Sequence, residues 1–378
     1  MNRYQKFLSL LTGLVVFNTV TIGGFNAFVD PYNVVNSQPI PKLNQSKPES
    51  GKDARQFKAI NVIRIKPKTV LLGNSRTDIG LDPSHPVLTS HSPTYNLAIP
   101  GGDMYQAMRY FQHALANQPD LKQVVIGIDL VAFEQRDDIE QLDPKLEEIL
   151  EETEYVQHLP NLIFSSDTLL SSFSTVLSNL ADEPMTENYL SDGRLIRVHP
   201  PDLSTQEIFR VHLKKAYFHF WYDDYEISQT QLDAFRTIVE TCNQRGIDLK
   251  VFISPAHATQ WEAVHAKELW STFEAWKREI VEITPVWDFS GYNSITTEPL
   301  TEDMQHYLDS AHYVKEIGDL VLNRLFEHQT EKVPDDFGVL LTPDTIESHL
   351  AQIRDQRERW ASQNLEVVQL VEQWSKEP

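Results

Sequence analysis

Between residues 66 and 330 the chain reads as an α/β fold, a doubly wound domain built on about five parallel strands with a long lid-like insertion. Two observations predict it. Five short apolar runs, at 69–73, 95–99, 123–129, 249–254 and 286–289, lack polar alternation, as strands buried on both faces of a parallel sheet do. Helical stretches at 104–117, 229–245, 259–283 and 313–327 lie between or after them, and strand–helix alternation is the pattern of a three-layer α/β domain.

The remaining segments follow in chain order. Arg3 and Lys6 precede an uncharged stretch of 23 residues, 7–29, and about 20 apolar residues suffice to cross a bilayer core. Residues 1–30 are therefore a membrane anchor or a removable signal segment. Phe25 and Ile22 spoil the nearest small-x-small cleavage sites and leave only Thr21-Ile22-Gly23, so span length favours the anchor. Cations ahead of the span place the rest of the chain on the extracytoplasmic (periplasmic) side of the cell membrane, as a single-pass protein. Residues 31–65 read as a linker, because 36–52 is polar and rich in proline. The insertion, 134–225, is too long for a simple connection and predicts a lid or subdomain. Residues 331–378 form a helical extension, with a long helical pattern after Thr342-Pro343-Asp344.

Composition removes several function classes. The chain has 378 residues and a net charge of −21, from 33 Lys+Arg against 54 Asp+Glu. Nucleic acid is not an expected partner, since a basic footprint for phosphates is missing. All of that charge except Arg3, Lys6 and Asp30 lies beyond residue 30. The acidic body is thus expected to stand off from an anionic membrane on the 36–52 spacer. The single cysteine, Cys242, excludes an intramolecular disulfide and a multi-cysteine zinc site. H-E-x-x-H is absent, so no catalytic metal and no cofactor are expected.

In open parallel sheets, sites form beyond the carboxyl ends of strands. The first strand runs into Gly73-Asn74-Ser75-Arg76-Thr77, which presents Ser75 at the strand tip as a nucleophile or as a turn or cap residue. There is no G-x-S-x-G elbow. A base and an orienting acid are offered by Asp309-Ser310-Ala311-His312, where a three-residue spacing puts both side chains on one face. The same spacing occurs in Asp82–His85 and Asp303–His306. The first looks like a turn beside two prolines, whereas Asp303 is the nearer rival. After the second strand, Pro100-Gly101-Gly102 can turn backbone N–H groups toward an oxyanion or simply start a helix.

G-N-S-R-T, then N-L-A-I-P-G-G, then the late D-S-A-H resemble the SGNH/GDSL hydrolase superfamily. The chain looks most similar to membrane-anchored extracytoplasmic members, alginate O-acetyltransferase-like and D-alanyl-transfer-like proteins among them. The likeness covers roughly residues 66–135 and 245–328. It implies a flavodoxin-like three-layer fold, Ser75 as nucleophile, Asp309 and His312 as its partners, and an oxyanion hole from the N–H groups of Ser75 and of Gly101 or Gly102. Two positions depart from the family pattern: Asn74 stands where commoner members have Asp, and the third block ends Gly127-Ile128-Asp129 instead of G-x-N. An ionised Asp129 cannot donate to an oxyanion, so its role differs or hydrolysis is weak.

Arg76, Asp129 and His257 are candidate substrate-binding residues, with surface pairing of Arg76 and a capping or core role for His257 as the alternatives. The aromatic run 218–225 suits core packing better than sugar stacking, and the acids of 147–154 suit a solvated helix face. Two functions remain in view. One is a membrane-tethered serine esterase or O-acyltransferase acting on an acyl ester of an envelope or extracellular glycan, or on a small ester. The other is a catalytically inactive SGNH-like module that binds glycan or scaffolds an envelope complex through a protein partner.

Overall fold

The computed structural model describes residues 2–135, 142–155, 160, 162–181, 187–199 and 202–377. The amino-terminal stretch is one helix, α1 (Arg3–Val29), long and apolar enough to cross a membrane. It ends because Asp30 turns left-handed, with φ +50°, and donates its N–H to Asn26 O.

The stretch expected to be a linker is folded. Asp30 accepts N–H bonds from Val34, Val35 and Ser37. The Lys47 ammonium is buried against the carbonyls of Val29 and Asp30, at 2.7 and 2.5 Å. Asn44, wholly buried, donates to Phe28 O and Val29 O. Polar composition suggested solvent exposure here. Instead these side chains point inward and satisfy carbonyls at the end of α1, which a helix terminus leaves orphaned. Residues 54–65 are a helix, α2 (Ala54–Ile65), which buries Phe57, Ile60, Val62 and Ile63 and packs against α4 (Met104–Asn117). The expected stand-off spacer is thus part of the body.

A central six-stranded sheet carries the fold. Its strands are β1 (Thr69–Leu72), β2 (Thr94–Asn96), β3 (Gln123–Ile128), β6 (Asp248–Ile253), β7 (Val286–Asp288) and β8 (Val339–Leu341), in the order β2-β1-β3-β6-β7-β8. The first five are parallel. Every residue of β1 and β3 is buried, as continuous apolar runs in a two-faced sheet require. β8, unforeseen in the sequence, adds an antiparallel edge on β7.

Short helix α3 (Ser75–Gly80) follows β1. The insertion holds α5 (Pro144–Glu151), α6 (Ser166–Ala181), the hairpin of β4 (Glu187–Tyr189) and β5 (Leu195–Arg197), α7 (Thr205–His212) and a π-helical stretch, Leu213–Trp221. Its parts are distributed over the body: α5 packs on α2, α6 on α1, and the hairpin on α3. α8 (Gln229–Arg245) then leads into β6.

Two expected helices are each divided in two. Residues 259–283 give α9 (Ala258–Ala266) and α10 (Trp270–Ile283), separated where Glu268 takes φ +58°. After α11 (Lys315–Leu325), the carboxyl-terminal pattern gives α12 (Ile346–Gln363) and α13 (Leu365–Trp374), parted at Asn364. α13 packs on α9 and α12 on α10, so this region closes the body.

Candidate active site

The strand order reverses between β1 and β3, the point beyond the carboxyl ends at which open α/β sheets place their sites. β1 delivers Ser75 there through a turn that only glycine accommodates. Gly73 has φ +137°, and a Cβ would lie 2.5 Å from Thr77 Oγ1 and 2.6 Å from Gly127 O. Asn74 caps α3 by accepting the Arg76 N–H at 3.1 Å, an ordinary cap use of its side chain.

Ser75 Oγ lies 2.7 Å from His312 Nε2. On the other side of the ring, His312 Nδ1 is 2.7 and 2.8 Å from the two oxygens of Asp309. Asp309 Oδ1 also accepts the backbone N–H groups of Ala311 and His312, both at 2.9 Å. The loop entering α11 is thereby wound around its own carboxylate. The sequence-expected trio is brought together across 237 positions of chain. Of the rival pairs, Asp82 accepts from Ser84, and His85 accepts weakly from the Val87 N–H. Asp303 is exposed and bonded to Thr301, and His306 lies near Glu298.

The insertion adds two groups for which the sequence carried no signal, since each is a lone residue in an otherwise ordinary element. His212, the last residue of α7, places Nδ1 3.2 Å from Asp309 Oδ1 and 2.9 Å from Ser310 Oγ. Arg197, ending β5, reaches Asp309 Oδ2 at 3.6 Å. Burial pushes the His212 imidazole down to about 4, against the pull of Asp309. Burial alone would raise the Asp309 carboxyl. The neighbouring His212 and His312 and the bonds Asp309 accepts outweigh it and hold the group well below the usual carboxylate range.

His212, Asp309 and His312 are the one trio of metal-ligand type found among the described residues. Within the trio, His312 Nδ1 sits directly on the carboxylate, and His212 Nδ1 on Ser310. The arrangement is that of a hydrogen-bonded relay.

Other expected residues find different partners. Arg76 and Asp129 are buried and paired, with Nε 3.3 Å from Oδ2. Asn74 Nδ2 donates to the same oxygen at 2.6 Å, and Arg76 Nη2 donates to Tyr217 OH at 3.0 Å. Asp129 is therefore an internal counter-ion, and Arg76 spends its charge inside the protein. His257 is buried at the start of α9, with Nε2 on Glu298 O at 2.7 Å and Nδ1 on Thr259. It caps a helix, and both ring nitrogens are engaged within the protein. Tyr217, Phe218, Tyr222 and Tyr225 are buried as core. Cys242 is buried within α8, where burial pushes its thiol up to about 12.

The glycine turn adjoins the nucleophile. Ile99 N–H donates to Gly73 O at 2.9 Å, so the Pro100-Gly101-Gly102 turn begins beside the Ser75 loop. Gly102 spends its N–H on Ile99 O at 2.8 Å, which removes it as an oxyanion donor. Gly101 is exposed at φ +63°. A cavity of about 380 Å³ adjoins Asp309 and His212, walled by Val198, Leu203, Ile208 and Leu308, with Arg197 and Lys215 also lining it.

Compared with protein-family models and with curated proteins, the chain matches none.

Proposed function

We propose that the chain is a membrane-tethered serine esterase or O-acyltransferase of the SGNH/GDSL type, acting on an acyl ester of an envelope or extracellular glycan. The observation that carries this reading is the continuous hydrogen-bonded line Ser75–His312–Asp309, with 2.7 Å at each link. Support for a flavodoxin-like three-layer fold comes from the parallel order β2-β1-β3-β6-β7, in which the nucleophile follows the first strand. Anchoring by α1 is supported by its length and apolarity. An extracytoplasmic body is supported by Arg3 and Lys6 ahead of the span.

In the proposed reaction His312 Nε2 accepts the Ser75 proton as Oγ bonds to the ester carbonyl carbon. The N–H of Ser75 and that of Gly101 stabilise the oxyanion. Collapse breaks the ester C–O bond, and the leaving oxygen takes the proton from His312, which leaves an acyl-serine. Water or a sugar hydroxyl then gives its proton to His312 and attacks the acyl carbon; the acyl–Oγ bond breaks and His312 returns the proton to Ser75 Oγ. Asp309 keeps the imidazole in the tautomer with Nδ1–H directed at the carboxylate.

One observation favours the second reading, a silent glycan-binding or scaffolding module: Asp129 is locked to Arg76 and Asn74, where the family pattern has an oxyanion donor. A fluorophosphonate probe on the full chain separates the two. Labelling of wild type and His306→Ala, lost in Ser75→Ala and His312→Ala, is the expected result. Folded wild type that stays unlabelled establishes the module instead.

A further inference from the structure

Helix α6 is built inside out. The residues it buries are polar: Thr168, Ser172, Thr175 and Asn179. Beyond its first turn the large residues it exposes are apolar, with Leu170 69%, Phe173 51%, Leu177 64% and Leu180 61% accessible. Spaced by three and four, the exposed residues share one helical face. A surface helix of a globular protein in water shows the reverse pattern.

Polar side chains hold α6 to the start of the body. Ser172 Oγ donates to Asn26 Oδ1 at 2.9 Å, and Asn26 Nδ2 donates to Ile163 O at 2.8 Å. Further along, Ser174 donates to Glu49, and Asn179 both donates to and accepts from the Ser46 backbone. The helix also lies against the last turns of α1. Phe173 and Phe25 have ring centroids 5.1 Å apart, and Gly23 admits Phe164 where a Cβ would lie 2.2 Å from its ring.

We propose that α6 is a second lipid-facing element, lying in the membrane boundary at the end where α1 emerges, with its apolar face among the acyl chains. This rests on the reading of α1 as a span. At 1.5 Å per residue, residues 8–28 of α1 cover about 30 Å, the thickness of a hydrocarbon core. The α1 residues that touch α6, Gly23 to Asn26, therefore lie near the exit boundary, where interfacial helices sink about 5–10 Å. Lipid is the proposed occupant, because α6 packs on α1 through Phe173 and Phe25, and α1 itself exposes Val20 and Phe28. The helix carries one charge, Asp167, at its first turn. It thus offers nothing for a charged partner to recognise, and it requires no anionic lipid.

The test uses the full chain with Cys242→Ala, in nanodiscs of neutral phosphatidylcholine. Environment-sensitive fluorophores are placed singly through Leu14→Cys, Leu177→Cys and Ser348→Cys. The expected result is that the Leu177 probe is blue-shifted and loses most of its emission to lipids spin-labelled near the headgroup. The Leu14 probe loses its emission to deep labels, and the Ser348 probe is untouched. Exchanging part of the lipid for phosphatidylserine leaves the Leu177 quenching unchanged. Leu177 behaving like Ser348 while Leu14 is quenched overturns the proposal and leaves the anchor standing; an unquenched Leu14 overturns both. A Leu177 probe shielded from water, unquenched by lipid and cross-linking to a second chain also overturns it, in favour of a protein contact.

Discussion

The Asp309 carboxylate serves two imidazoles, and only one of them reaches Ser75. His212 stands 3.2 Å from the acid with its ring centroid 5.3 Å from that of His312, and burial keeps it neutral down to about pH 4. It is a positioning residue that holds Asp309 and Ser310 in place beneath the proposed base. A lost bond to a charged group costs about 1.5–3 kcal/mol, so His212→Ala should lower kcat/KM for a small aryl ester about tenfold to hundredfold. The loss should fall mainly on kcat, and Asn at this position should restore part of it; an unchanged kcat removes His212 from the relay. Ser75, Asp309 and His312 were legible in the sequence because strand-end placement and a local spacing both point at them. His212 and Arg197 were not, since nothing local marks a residue whose partner lies about a hundred positions away. Gly102 was misjudged for a different reason. A glycine pair advertises backbone freedom, but its N–H closes a turn on Ile99.

At the level of elements, a buried charge cluster joins three pieces of chain. Lys277 of α10 meets Asp288 of β7 at 2.6 Å, His349 of α12 reaches the same oxygen at 2.8 Å, and Lys277 also donates to Ser290 at 2.8 Å. Burial alone would raise the Asp288 carboxyl, but Lys277 and His349 hold it well below the ordinary carboxylate range. A depressed carboxylate contributes stability that is present above its unfolded pKa of 3.8 and lost as pH falls below it. Lys277→Met should cost about 3–5 kcal/mol at pH 7 by stranding the acid. Its stability should also fall less than that of wild type between pH 4 and 2, as measured by urea unfolding in detergent. The five parallel strands were readable as apolar runs. β8 was not, because Val339-Leu340-Leu341 is apolar but only three residues long, and two of the three are exposed at the sheet edge. The two helix breaks were equally silent, since Glu268 and Asn364 interrupt helices without proline or glycine.

For the whole molecule, buried neutral histidines set the acid side of stability. Burial pushes His257 down to about 4 from an ordinary 6.5. Between those values the unfolded chain binds a proton that the folded chain refuses, so stability falls as pH drops through this window. For His257 the loss between pH 7 and pH 5 is about 2 kcal/mol. His257→Gln should reduce the fall in unfolding free energy between pH 7 and pH 5, measured by urea unfolding, by about that amount, and an unchanged fall would show that His257 titrates normally.

Composition also misled at this scale, in the stretch between α1 and α2. A flexible spacer over 36–52, 17 residues, would let Ser75 sweep about 20–25 Å around its anchor point. The chain instead clamps Asp30, Asn44 and Lys47 over the end of α1. The proposed nucleophile therefore has a fixed altitude and a fixed compass bearing relative to its anchor. With α1 in the membrane as proposed, the tether has no slack: the proposed nucleophile cannot search outward for a polymer, travels only laterally with α1, and requires its substrate to be presented at that one height.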